Sequence, residues 1–211
     1  MSALLVGRPG RDGLGGLLPG ASLRVAAIFA VGVDGRTVGS AAAVLRGIDW
    51  LAKENVHVIN IGLTGPDDKN VRKAMTIAQK NDLIVVAAVG NRGWGPDRPA
   101  YPAGYYHVLA VTAFGAYRGV MADANTGPYV AFAAPGERIW TALPGGGTGY
   151  QSGTSFAAAF ITALVGAETF HGATRDPDAV SEILRRQIED LGTPGRDDIY
   201  GWGFVTKQPP C

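Results

Sequence analysis

Four short apolar runs, "VHVINIGL", "LIVVAAVG", "HVLAVTAF" and "VAFAAPG", constrain the fold of this chain more than any other feature. A strand with one wet face alternates apolar and polar residues. Strands without that alternation are covered on both faces, the pattern of a parallel sheet between two helical layers. The intervening segments supply the helices. "GSAAAVLRGIDWLAKEN" turns Ala43, Leu45, Ile48 and Leu51 toward the sheet, "NVRKAMTIAQKN" separates the first two runs, and residues 156–170 are apolar nearly all round, as a buried helix is. "DPDAVSEILRRQIED" places Val180, Ile183, Leu184 and Ile188 on one face and reads as a surface helix. An earlier run, "LRVAAIFAV" from Leu23 to Val31, reads as one more buried strand, and the turn-rich ending "DLGTPGRDDIYGWGFV" as a closing hairpin or loop. Strand and helix in alternation predict an α/β fold, three αβα layers around a mostly parallel sheet.

The length, 211 residues, suits one domain over residues 1–211, and no linker divides it. Nineteen basic against eighteen acidic residues, with no basic run, exclude a phosphate-tracking surface, so no nucleic-acid partner is expected. No apolar run is long and charge-free enough to span a bilayer, so no membrane partner is expected either. The start, "MSALLVGRPGRDGLGGLLPG", lacks the signal-peptide pattern. One cysteine, Cys211, excludes an internal disulfide and a thiolate metal cluster. "GRPGRDGLGG" offers one carboxylate, Asp12, against the six to eight oxygens that calcium takes, so no metal or cofactor is assigned. "GGGTG" at Gly145 to Gly149 is followed by no Lys-Ser/Thr and reads as a flexible loop, not a phosphate cradle.

Open α/β sheets bind ligands beyond the carboxyl ends of their strands. Two features fall there. "LIVVAAVG" ends in Gly90 and Asn91, which puts a carboxamide on an edge loop, and "GTSFAAAF" places Ser155 where a glycine turn enters the buried helix. The backbone N–H of Ser155 is one of the unpaired donors at a helix start, where the dipole adds partial positive charge. That N–H and an Asn amide aimed at one point would hold a developing oxyanion. A Gly-Thr-Ser before a helix is nonetheless more often a cap than a nucleophile, and an Asn after a strand more often a turn residue. Spacing alone leaves both readings open.

Five segments in order, "VINIGLTGP", "VVAAVGN", "YPAGYYHVLAVTA", "FAAPGERIWTALPGGGTGYQSGTS" and "GTSFAA", resemble the subtilisin-like (subtilase) serine endopeptidases across essentially the whole chain. The resemblance implies peptide-bond hydrolysis through an acyl-enzyme at Ser155, with Asn91 as the oxyanion amide and a peptide or protein as substrate. It implies further that Leu63, Thr64 and Gly65 form one edge strand for the substrate and Thr37, Val38 and Gly39 the other. Ala88, Val89, Gly90 and Thr154 would line the same cleft. Thr64 stands where the family usually has glycine, which predicts a preference for small side chains before the cleaved bond. Ala159 replaces a usual proline in the nucleophile helix.

Two expected parts have no counterpart. The family carries an Asp at the end of an early strand and a His in a His-Gly-Thr motif, whereas none of His57, His107 and His171 precedes Gly-Thr, and neither Asp12 nor Asp49 follows an apolar strand. "SALLVG" resembles what normally follows the His-Gly-Thr segment in its helix. The expectation is an N-terminally incomplete subtilisin-like domain in which the Asp strand is absent from between the strands matching "LRVAAIFAV" and "VHVINIGL". Such a chain is expected to be inactive or nearly so by itself, to need the absent segment in trans, or to serve as a pseudoprotease that holds extended peptides by strand addition. Its compartment is undetermined, although relatives are often secreted.

Overall fold

The computed structural model describes residues 1–8, 15–31, 35, 37–172 and 174–206; the glycine loop with Asp12 and the terminal Cys211 lie outside them. In chain order the elements are α1 (Ser2–Val6), β1 (Phe29–Val31), β2 (Thr37–Gly39), α2 (Ala41–Lys53), β3 (Val58–Ile61), α3 (Lys69–Lys80), β4 (Ile84–Ala88) and β5 (Val108–Phe114). They continue with β6 (Val130–Pro135), β7 (Ile139–Ala142), β8 (Thr148–Gln151), α4 (Thr154–Phe170), α5 (Pro177–Arg185), β9 (Ile188–Glu189) and β10 (Phe204–Val205).

The apolar runs form the sheet that their composition predicts. Its order is β3-β4-β5-β6-β10-β9, parallel throughout except for the last pair. Every residue of β4 and β5 is buried, because helices cover both faces. Successive side chains alternate between the two layers. Ile84, Val86 and Ala88 face the cluster containing Ala157, Ile161 and Val165 of α4, whereas Val85, Ala87 and Val89 face Ile48 of α2 and Val71 and Met75 of α3. The result is a three-layer αβα arrangement.

Local chemistry sets the helix starts. The Ser40 hydroxyl accepts from the Ala43 amide, Asp68 from Asn70 and Val71, and Asp176 from Asp178 and Ala179, with Pro177 opening α5. α4 is buried nearly all round and lies against β3, β4, β5 and β6. Its threonines are accommodated there because Thr162 and Thr169 donate to the Ala158 and Val165 carbonyls one turn back.

Two sequence expectations need correction. Ile188 belongs to β9 and not to the surface helix, which ends at Arg185; β9 pairs with β10 to close the sheet. Gly145, Gly146 and Gly147, with φ of 83°, 107° and 77°, lie in the loop that joins β7 and β8 into a hairpin.

The second correction concerns Leu23 to Val31. Only Phe29–Val31 is strand, it is exposed, and it pairs with β2 in a separate hairpin. Residues 23–28 make no backbone hydrogen bond among the described residues. The physical reason is that no strand lies beside them among the described residues. β3 is an edge of the main sheet, and a cavity of about 1000 Å³ is lined by residues 23–29 on one side and 56–63 on the other. A void of that volume exceeds the water-sized gaps of a close-packed interior by far. The periodicity of "LRVAAIFAV" was sufficient for a strand, but a ladder needs two partners. Hydrogen exchange should therefore find the amides of residues 23–28 unprotected while those of β4 and β5 approach the global unfolding limit; equal protection would contradict the unpaired assignment.

Candidate active site

Ser155 and Asn91 meet at the carboxyl edge of the sheet. Gly62 follows β3, Gly90 and Asn91 follow β4, and Gly136 follows β6; each reaches the entry of α4. A Cβ on Gly62 would lie 3.1 Å from Ser155 Cβ, and the Gly153 amide donates to the Gly136 carbonyl at 2.8 Å. The N-cap of α4 is Gly153, with no side-chain capping bond, and Ser155 is the second helical residue. The capping reading of Ser155 therefore does not hold, and its hydroxyl is left for other work.

Thr154 orients the carboxamide. Asn91 Oδ1 accepts from the Thr154 amide at 3.0 Å and from the Thr154 hydroxyl at 2.8 Å, while Thr154 Oγ1 accepts from the Gly90 amide at 3.1 Å. With its oxygen bound twice, Asn91 turns its Nδ2 donor outward. A Cβ built on Gly153 would sit 3.1 Å from that Nδ2 and 3.4 Å from Ser155 Oγ. Amide nitrogen and hydroxyl thus face one point, and Gly153, at φ 154°, keeps it clear. Ser155 also presents the unpaired N–H of the first helical turn.

Asn125, which nothing in the sequence singles out, holds the loop from behind. It is fully buried; its Nδ2 donates to the Val89 carbonyl at 2.8 Å, and its Oδ1 accepts from the Arg92 and Trp94 amides at 3.1 and 3.0 Å. Its own amide donates to the Gly90 carbonyl at 2.9 Å. Within "MADANTGP" it reads as one more turn residue.

The expected substrate edges are placed as follows. Gly65 has both backbone groups engaged with Tyr101, at 2.8 and 3.1 Å, which leaves Leu63 and Thr64 as the free part of that edge. Thr64 Cγ2 lies 3.0 Å from where a Gly90 Cβ would be, so its side chain packs against the facing wall that Ala88, Val89 and Gly90 build. The loop beyond Gly65 is pinned by Tyr105, whose hydroxyl donates to Asp67 and accepts from the Asp68 amide. Burial, reinforced by the Asp67 carboxylate, pushes the Tyr105 phenol up to about 12. Thr37, Val38 and Gly39 form β2, bonded to β1 on one side; Val38 is exposed.

No histidine comes near. His57 precedes β3 and His107 precedes β5, at the amino edge of a parallel sheet whose carboxyl edge holds Ser155. His107 Nδ1 lies 3.6 Å from the Asp178 carboxylate instead. His171 caps the far end of α4, roughly 24 Å along the helix from Ser155.

The model of the Subtilase family matches residues 2–203. The chain belongs to the subtilase family. Among its relatives are the minor extracellular protease Epr of Bacillus subtilis (strain 168), 33% identical over 92% of this chain and 29% of its own length, and the major intracellular serine protease of the same organism, 31% identical over 83% and 57%. The protease domain of PatA, as its S218A mutant, superposes with a TM-score of 0.82 at 27% identity, covering 97% of this chain and 75% of that one. This subtilase chain spans 29% of the length of the first of these curated relatives and 57% of the second.

Replacing Asn125 by alanine would strand one carbonyl and two amides of the Asn91 loop. Unfolding in urea should show a loss of about 3 kcal/mol, taking roughly 1 kcal/mol for each abandoned group; a loss under about 0.5 kcal/mol would show that the loop does not depend on it.

Proposed function

We propose that this chain carries the nucleophile and the oxyanion site of a serine endopeptidase. The observation that supports it is the convergence of Ser155 Oγ and Asn91 Nδ2 on the point that Gly153 leaves open. In this reading a peptide lies along Leu63 and Thr64 on one side and Thr37, Val38 and Gly39 on the other. Ser155 Oγ attacks the carbonyl carbon and loses its proton to a base, while the carbonyl π pair moves to oxygen. Asn91 Nδ2 and the Ser155 N–H stabilise that oxyanion. Collapse breaks the C–N bond as the base returns the proton to the departing amine, and water then releases the acyl group by the same steps.

The base and the carboxylate that orients it come, in this proposal, from polypeptide outside these 211 residues, seated in the cavity between residues 23–28 and β3. Three features favour that seat. The backbone on one flank is unpaired and the strand on the other is a sheet edge. Asn60 Oδ1, on the cavity wall, is buried without a partner. A Cβ on Gly62, which lines the same cavity, would lie 3.1 Å from Ser155 Cβ, so a strand laid in it would end beside the nucleophile. The chain by itself would then turn over peptides only at the residual level left when a triad loses its base.

A second reading, a module that holds extended peptides without cutting them, rests on the free edge at Leu63 and Thr64. Intact-mass spectrometry after fluorophosphonate treatment separates the two, with Ser155→Ala as control. The 211-residue chain should form no adduct alone and a single Ser155 adduct once a subtilase segment bearing the Asp strand and the His-Gly-Thr motif is added. An adduct on the chain alone would overturn the external base. No adduct in either condition, with the added segment shown to bind, would favour the holding module.

A further inference from the structure

The loop that begins with Asn91 carries a feature that acyl transfer does not use. Trp94 has the Arg98 guanidinium 3.9 Å from its ring centroid and the Arg92 guanidinium at 5.0 Å. Neither arginine forms an ion pair within 4 Å among the described residues, although every other arginine stacked on a ring outside this loop, Arg138 excepted, also pairs with a carboxylate. Both are exposed, and neither pairs with Asp97, which lies within the loop, or with Asp123, whose carbonyl accepts from the Gly93 amide at 2.7 Å. The stack is held in place from below. The Arg92 and Trp94 amides are fixed by Asn125, the Trp94 carbonyl accepts from the Thr126 amide at 2.8 Å, and the Arg98 amide closes a turn on the Gly95 carbonyl at 3.0 Å.

A guanidinium stacked on an indole keeps its N–H edge free, and that edge matches a carboxylate in two parallel hydrogen bonds. Stacking also lowers the conformational cost of holding the long side chain ready. Two such groups stand next to the residue proposed to hold the oxyanion. Arg92 adjoins Asn91, and a peptide advances about 3.3 Å per residue, so the pair can reach side chains only close to the scissile bond. We propose that Arg92, Trp94 and Arg98 form a subsite for an acidic side chain, Asp or Glu, within two residues of the bond held at Ser155. The inference rests on the peptide-binding cleft of the preceding section, although not on cleavage.

Binding tests it without turnover. Fluorescein-labelled alanine hexapeptides carrying Glu, Lys or Ala at each position in turn are titrated with the 211-residue chain, and anisotropy is followed at low and at high salt. The best Glu peptide should bind about tenfold more tightly than the all-Ala peptide at low salt, and the Lys peptide more weakly than either. Arg92→Gln with Arg98→Gln should abolish the Glu preference without changing affinity for the all-Ala peptide, and Arg92→Glu with Arg98→Glu should transfer the preference to Lys. Because both side chains are exposed, these variants should keep the wild-type circular dichroism. A Glu preference that survives the double Gln variant, or no preference at any position, overturns the subsite. So does failure of every Glu peptide to bind. Failure of every peptide, the all-Ala peptide included, would sink the cleft itself, whereas binding without a Glu preference sinks the subsite alone, so the two failures are told apart.

Discussion

The Asn91 carboxamide is the joint on which the site depends. Its oxygen takes two hydrogen bonds from Thr154, the first residue of α4, so the loop after β4 and the start of the buried helix are fixed to each other. That link couples three scales. At the level of packing, α4 fits under β3 to β6 because its face is built of alanine, isoleucine and valine in close contact with the sheet. At the level of local structure, its entry carries glycine at residue 153, where a side chain would block the space between Asn91 and Ser155. At the level of chemistry, the carboxamide can offer only its donor outward. Asn125 stiffens the same loop from the core side, and a preorganised donor stabilises developing charge more than a mobile one does.

Most of the frame was legible in the sequence. "LIVVAAVG" and "HVLAVTAF" announce strands buried on both faces, and all but their end residues become β4 and β5. The uniform apolarity of residues 156–170 announces a helix enclosed in the core, as α4 is. The meeting of Asn91 and Ser155 was legible as a placement at one sheet edge, and the family resemblance gave the residues roles. What periodicity could not supply was pairing. "LRVAAIFAV" has the composition of a central strand, but hydrogen bonding depends on what lies alongside, and only its last three residues find a partner, in β2. Asn125 was illegible for a related reason: a buried asparagine that serves three backbone groups and a turn asparagine that faces water look alike in one sequence.

The same unpaired flank links stability to function. Between residues 23–28 and β3 the interior is open, and both walls present backbone groups that a strand would satisfy. Filling the opening would remove apolar surface from water and complete two ladders at once, so whatever enters it should stabilise the fold as well as bring groups to Ser155. The proposed substrate face, by contrast, is already built. The Asn91 loop is bonded on both sides, and its exposed arginines are prearranged on Trp94. In the proposed reading, recognition and catalytic assembly thus reside in different parts of the molecule.

A crystal structure of the chain with a peptide boronic acid tests the central claim most directly, because boron can bond a serine oxygen without prior acyl chemistry. The account predicts a bond from boron to Ser155 Oγ, with one boronate oxygen about 2.7–3.1 Å from both Asn91 Nδ2 and the Ser155 amide. A boronate oxygen turned away from Asn91, or an Asn91 carboxamide with its nitrogen toward Thr154, would contradict it.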